Sequence, residues 1–251
     1  MIKVLMHGCN GRMGQMIVNL VKEEKEMEIA AGVDKFDGVA NDFPVFSCIG
    51  DCTVKADVVI DFSNAGAADE LLDYCAGTKT PVVLCTTGLS KEQLVKVEET
   101  AKKTAVLKSA NMSVGINLLI KLLKEAVPAL AAAGFDIEIV EKHHNQKLDA
   151  PSGTAIALAD AVNEAADGGY TYVYDRSQVR QKRGEKELGI SAVRGGTIVG
   201  DHDVIFAGTD EVVTLEHRAY SRAVFGKGAV QAAKFLAGKP AGLYDMRDVI
   251  G

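Results

Sequence analysis

The chain has 251 residues, 47% hydrophobic and 25% charged, with a formal net charge of −6. These are the proportions of an ordinary soluble globular protein, long enough for one large domain or two modest ones. The acidic balance argues against nucleic acid as the main partner, and no apolar run approaches the roughly 18–20 residues a membrane helix needs.

The opening segment M-I-K-V-L-M-H-G passes straight into a glycine turn and leaves no room for a signal peptide. Cysteines 9, 48, 52, 75 and 85 are odd in number and form no C-x-x-C pair. This pattern predicts reduced thiols and a cytoplasmic location.

Ile2–His7 reads as a short buried strand, followed at once by G-C-N-G-R-M-G from Gly8 to Gly14. Helical spacing of Met16, Ile17, Leu20 and Val21 then predicts a helix over 15–22. Strand, glycine turn and helix are the context of a dinucleotide fingerprint, with Asn10 at the usual second glycine and expected to accept left-handed backbone. A second strand over 28–33 ends at Asp34, twenty residues beyond Gly14, where a carboxylate would accept the ribose hydroxyls of the adenosine. Asp34 repels a 2′-phosphate while neighbouring Lys35 attracts one, so use of both NADH and NADPH is expected.

Strands over 56–62, 81–85 and 104–108 alternate with helices over 65–76 and from Ser90, where Ser90 and Gln93 match a capping box. The strand ends D-F-S, T-T-G and A-N-M-S open on one edge of a parallel sheet. Phe62, Thr86, Thr87 and residues 110–113 are therefore candidates for the nicotinamide side.

A long helix over 114–130 is expected to stop near Pro128. Alternation of Phe135, Ile137 and Ile139 with Asp136 and Glu138 predicts a half-buried strand. That strand runs into E-K-H-H-N-Q-K-L-D-A-P-S-G-T-A, residues 141–155, beyond which an alanine-rich helix extends to 165. His143, His144 and Lys147 thus leave a strand end, and Ser152, Gly153 and Thr154 sit where a helix begins. Cations beside exposed first-turn amides suit a small, multiply charged anion. His143 and His144 diverge if extended, and no H-E-x-x-H or Cys/His spacing accompanies them, so no metal is expected.

Short strands follow over 170–174, 188–193, 197–199, 204–207 and 212–215, with turn signals at Gly195-Gly196 and Gly200-Asp201. They predict a mostly antiparallel mixed sheet in a second domain, whose open apolar face oligomerisation would cover. The charged stretch 176–186 reads as a mobile, solubilising loop. Arg194 is held by a strand beside a tight turn. A last helix over 225–236 is placed to return to the first domain. The fold class is thus α/β, with an N-terminal Rossmann dinucleotide-binding domain over 1–112 and 220–251. An α+β substrate and oligomerisation domain covers 113–219.

With these motifs together, the chain resembles the dihydrodipicolinate reductase family over nearly its whole length. The resemblance rests on G-x-x-G-R-M-G, D-F-S, T-T-G, A-N-M-S-V-G, E-x-H-H-x-x-K-x-D-A-P-S-G-T-A and R-x-G-x-I-V-G-x-H. It implies NADH- or NADPH-dependent reduction of 4-hydroxy-tetrahydrodipicolinate, a cyclic dicarboxylate imine, in diaminopimelate and lysine biosynthesis by a homotetramer. It also implies His143 as catalytic acid/base and Lys147 as proton donor. His144, Ser152, Gly153, Thr154 and Arg194 would hold the two carboxylates. Gly8, Cys9, Asn10, Gly11, Arg12, Met13, Asp34, Lys35, Phe62, Cys85, Thr86, Thr87, Ala110, Asn111, Met112 and Ser113 would line the cofactor. Asn64 and Cys85 depart from residues common in the family. The competing readings are a catalytically silent dinucleotide sensor and an aspartate or homoserine dehydrogenase-like enzyme.

Overall fold

The run Ile2–His7 is strand β1, with Val4, Leu5 and Met6 fully buried, as a strand covered on both faces requires. It belongs to a computed structural model that describes residues 1–177 and 179–251 and falls into two compact units. Unit 1 is Met1–Ser113 with Ala223–Gly251, and unit 2 is Val114–Arg222.

In unit 1, β1 leads through the glycine turn into helix α1 (Arg12–Lys22), which buries Gly14, Ile17, Val18 and Val21 along one face. Strand β2 (Met27–Val33) and a two-residue strand β3 (Val45–Phe46), absent from the sequence reading, come next. Strand β4 (Val58–Asp61), helix α2 (Ala68–Thr78) and strand β5 (Val82–Leu84) follow. Helix α3 (Lys91–Ala101) opens with the expected capping box, Gln93 N–H donating to Ser90 Oγ and Ser90 N–H to Gln93 Oε1. Strand β6 (Ala105–Lys108) completes this stretch.

Unit 2 begins with helix α4 (Val114–Ala132), which runs one turn past Pro128 instead of stopping there. Proline forfeits only its own bond to the carbonyl a turn earlier, so the apolar face on Leu119, Leu123 and Val127 carries the helix through. Strand β7 (Asp136–His143) buries its odd positions, Ile137, Ile139, Glu141 and His143. Helix α5 (Gly153–Ala165) and strands β8 (Thr171–Val173), β9 (Glu187–Arg194), β10 (Gly200–Ala207) and β11 (Val212–Ala219) follow. The five strands are ordered β11-β10-β7-β9-β8. Helices α4 and α5 cover one face, packing Leu123, Leu158 and Val162 on Ile137, Ile139 and Phe206.

Four expectations for this unit are corrected. The sheet is half parallel: β10 runs antiparallel to β7 and β11, while β9 runs parallel to both β7 and β8. Helix α5 is the cause, because a helical crossover returns the chain in its original direction. Residues 197–199 form no strand, since β9 and β10 flank β7 and their connection must cross its end. Gly200-Asp201, taken for a turn, is the first part of β10, opposite Ala219 and Arg218. Arg183, in the stretch expected only to solubilise, donates to Glu138 at 2.9 Å, Asp136 at 2.7 Å and the Ile137 carbonyl at 3.0 Å. It clamps its segment to β7. Gln178 of that stretch lies outside the described residues.

The chain then rejoins unit 1 as helix α6 (Ala223–Leu236), strand β12 (Gly242–Tyr244) and helix α7 (Met246–Ile250). Helix α6 packs on α1 and against β4, β5 and β6. Gly228 is what admits it, since a Cβ there would overlap the Met112 carbonyl. Strand β12, also missed in the sequence, pairs with β6. The completed sheet has the order β12-β6-β5-β4-β1-β2-β3, and every pairing is parallel. Chain order reverses between β1 and β4, so the crevice at their C-terminal ends is where a doubly wound sheet receives a ligand.

Candidate active site

The glycine turn of unit 1 sits at that crevice. Gly8 has φ +81°, and a Cβ on it would come 2.7 Å from the Phe62 carbonyl oxygen. A Cβ on Gly14 would overlap the Gly8 carbonyl, so the turn can close onto α1 only with glycine there. Asn10 does not use the left-handed backbone that Asn tolerates: among the described residues only Lys79 and Asp167 are non-glycine residues with positive φ. Asn10 works through its side chain, which donates to the Phe36 carbonyl and accepts from Asn41 at 2.8 Å. The Asp34 carboxylate accepts the backbone N–H of Asn10 at 2.9 Å and that of Phe36 at 3.0 Å. Helix α1 starts at Gly11 with no side chain capping it. Its first-turn amides are therefore available to a phosphate.

Beside the turn lies a groove of about 410 Å³. Of the predicted cofactor residues, Gly8, Gly11, Asp34, Lys35 and Phe62 line it. Cys9 is buried against Gly32, and burial, then Asp34, push its thiol up to about 11, so only its backbone can serve a ligand. Arg12 and Met13 start α1 at the rim of the turn. Cys85, Thr86 and Thr87 follow β5, residues 110–113 follow β6, and none of them lines the groove.

The groove also exposes residues that sequence reasoning missed, above all His7, Ser63 and Glu70. His7 Nδ1 lies 2.8 Å from the fully buried Asp61, which also accepts the hydroxyls of Ser63 and Thr86, each at 2.6 Å. Burial opposes ionisation of Asp61, but its bonds to His7, Ser63 and Thr86 outweigh that and hold its carboxyl below the usual range. The M-H-G and D-F-S strand ends carried this signal, because β1 and β4 pair His7 directly with Asp61.

In unit 2 the organising group is another buried carboxylate, Glu141, with no accessible side-chain surface. Its Oε2 lies 2.7 Å from His143 Nδ1 and accepts one Arg194 terminal N–H at 2.7 Å. Its Oε1 accepts the other at 2.7 Å and the Ser152 amide at 2.9 Å. Burial works against this charge, yet Arg194, His143 and the Ser152 amide together keep the carboxyl below its ordinary range. Arg194 also donates to the Asp149 and Val193 carbonyls, both at 2.7 Å, so its four terminal N–H bonds are committed. Arg194, expected to hold a ligand carboxylate, binds Glu141 through both terminal nitrogens, and its Nε is buried without a partner among the described residues.

Ser152 caps α5 by accepting the Ala155 amide at 3.1 Å, and its hydroxyl also meets His202 Nε2 at 3.0 Å. Burial, then the charge of His143, push His202 down to about 4, so it stays neutral. The rings of His202 and His143 meet edge to face with centroids 5.2 Å apart. A Cβ on Gly200 would stand 3.0 Å from His143 Nε2, so glycine keeps that nitrogen clear. The loop 195–199 is tied to this strand end, with Gly195 N–H donating to the His143 carbonyl at 2.9 Å and Asn145 N–H to Gly196 at 3.2 Å. Lys147 pairs with Asp149 at 2.8 Å. His144 Nδ1 is buried without a hydrogen-bond partner among the described residues, and Gly153 is exposed at the first position of α5. No group of three His, Cys, Asp or Glu that could hold a metal ion occurs among the described residues.

Unit 2 thus presents His143 Nε2, the His144 ring, the Lys147 ammonium and the start of α5, an arrangement that can bind an anion and move a proton. Residues 2–112 match the family model described as dihydrodipicolinate reductase, N-terminus, and residues 115–250 match its C-terminus. The chain is 54% identical to 4-hydroxy-tetrahydrodipicolinate reductase of Caldanaerobacter subterraneus subsp. tengcongensis, covering 100% of this chain and 98% of that one. With the Clostridium tetani protein of the same name it is 50% identical, covering 98% and 96%. It is also similar to the solved dipicolinate-bound dihydrodipicolinate reductase of Paenisporosarcina sp. TG-14, with TM-score 0.82, 28% identity and complete coverage of both chains.

Proposed function

The chain belongs to the dihydrodipicolinate reductase family, and on that premise we propose that it reduces 4-hydroxy-tetrahydrodipicolinate to tetrahydrodipicolinate for diaminopimelate and lysine synthesis. The observation that carries this reading is the Glu141-anchored cluster, in which one buried carboxylate sets His143, the start of α5 and Arg194 together.

The unit 1 groove fits a pyridine nucleotide: the glycine turn admits no Cβ at Gly8 or Gly14, α1 is uncapped, and Asp34 lines the groove just past β2, where it would meet a ribose. When bound, the reduced nucleotide would supply a hydride to the electron-poor carbon of the conjugated cyclic imine that remains once the 4-hydroxyl has left as water. His144, Gly153 and Thr154 hold the ring's carboxylates; the unpartnered, buried His144 Nδ1 supports its place in this set. Lys147 delivers the proton that the reduced ring takes up beside the carbon receiving hydride, and its ammonium stabilises the charge developing there. His143 acts as acid/base through Nε2, and fixing the ring contributes through orientation. Asp34 and Lys35 favour opposite nucleotides, so both NADH and NADPH serve.

The open face of the unit 2 sheet carries Val140, Ile205 and the exposed Val193 and Val212 beside the Lys142–Asp203 ion pair. A second copy covers this face in a homotetramer, and the enzyme works in the cytoplasm with its five cysteines reduced.

Loss of nicotinamide absorbance with freshly generated cyclic substrate tests the reading, run with NADH and NADPH in parallel. Turnover with both is expected, and Lys147→Ala should lose at least about 100-fold in kcat with little change in nucleotide affinity. Stoichiometric nucleotide binding without oxidation by the substrate would sink it.

A further inference from the structure

Glu141 heads the E-K-H-H string but holds no role in the chemistry assigned above. Its two oxygens accept four contacts, from both Arg194 nitrogens, the Ser152 amide and His143. A carboxylate so loaded with donors is ionised and can only accept, so the proton between it and His143 resides on Nδ1 of the ring. That leaves Nε2 as the working nitrogen. It is also the nitrogen that Gly200 keeps clear.

The Arg194 fork has a second consequence. Alone, a buried carboxylate 2.7 Å from the imidazole would hold the ring as imidazolium, a poor proton acceptor. Arg194 shares both carboxylate oxygens and cancels most of that charge. The other titratable or charged groups nearby are His202 on β10, edge-on to the ring, His144 next in sequence, and Lys147 with Asp149 in the following loop. Lys147 and Asp149 pair with one another and offset each other's charge.

We propose that Glu141 and Arg194 are a positioning pair: Glu141 fixes His143 in the Nδ1–H tautomer, and Arg194 balances the charge of Glu141 so that Nε2 is left to take and give the proton. Neither residue touches substrate. The proposal rests on His143 being the acid/base of the reductase reading.

Its signature is that neutralising either partner moves the pH profile of kcat in opposite directions. Glu141→Gln keeps the shape but removes the charge, so its acidic limb moves to lower pH and kcat falls about 100-fold, within the range for such supporting carboxylates. KM and nucleotide Kd should stay within about threefold. Arg194→Met leaves Glu141 uncompensated, and the acidic limb moves to higher pH. Glu141→Asp, which restores the charge, should recover part of the lost rate. Ring nitrogen shifts of 15N-histidine-labelled wild-type protein read the tautomer without any turnover, and should place the neutral-state proton of His143 on Nδ1. A proton on Nε2, or pH limbs that move the same way in both charge-neutralising variants, overturns the proposal. If wild type fails to reduce the cyclic imine, the reductase reading fails, while the nitrogen shifts still decide the tautomer.

Discussion

His7 Nδ1 lies 2.8 Å from Asp61 Oδ1, where strands β1 and β4 place the two residues directly opposite each other. The carboxylate is fully buried and also holds Ser63 and Thr86. Asp61→Ala should therefore cost about 3–5 kcal/mol in urea unfolding, because His7, Ser63 and Thr86 lose the buried carboxylate they share. Asp61 is held below its ordinary range in the folded state. The stability it contributes is present above an unfolded value of about 3.9 and is lost as pH falls through the lower folded value. Asp61→Asn should flatten the acid limb of the stability curve below about pH 4. An unchanged limb would remove this carboxylate as its source.

His202 carries the opposite liability. Its folded value is lowered from 6.5 to about 4 by burial and by His143, so the folded state resists its protonation. Stability linked to this residue is complete above pH 6.5 and is lost as pH falls from there to about 4. At about 1.4 kcal/mol per pH unit, the loss comes to about 3 kcal/mol. Unfolding of His202→Gln, followed at pH 7 and pH 4.5, should show a smaller loss on acidification than wild type. A loss equal to that of wild type would reassign the effect to other groups.

Gly200 provides a test of access to His143. Alanine at this position would place a methyl 3.0 Å from Nε2, on a strand whose φ is not left-handed. The fold should tolerate it with a change of about 1 kcal/mol or less, whereas kcat should fall at least about tenfold with nucleotide affinity intact. Steady-state kinetics alongside thermal unfolding separates the two effects. Full activity would show that Nε2 needs no clear approach there.

Much of this was legible in the residues themselves. The alternation in unit 1, the Ser90–Gln93 capping box and the glycine turn follow from local pattern, because each is fixed within a few neighbouring residues. The histidines, the lysine and the S-G-T turn of the 141–155 string were likewise visible. The partners that set them were not: Glu141 reads as one more letter until β9 brings Arg194 to it across 53 positions. His7 and Asp61 are 54 positions apart and meet only through parallel pairing. The parallel placement of β9, the missed strand β12 and the reassigned Arg194 share this cause. Each depends on which strand lies beside which, and short-range periodicity carries no information about that.

The interruption of unit 1 by unit 2 has a consequence for synthesis on the ribosome. Helix α6, which packs on α1 and under β4, β5 and β6, and strand β12, which closes the sheet at β6, are translated only after residues 114–222. The nucleotide-type half therefore leaves the exit tunnel first yet lacks its inner helix and edge strand until the inserted half is out. Its nascent apolar surface must wait in water, and the inserted half, contiguous in sequence, is free to reach its native pairing earlier.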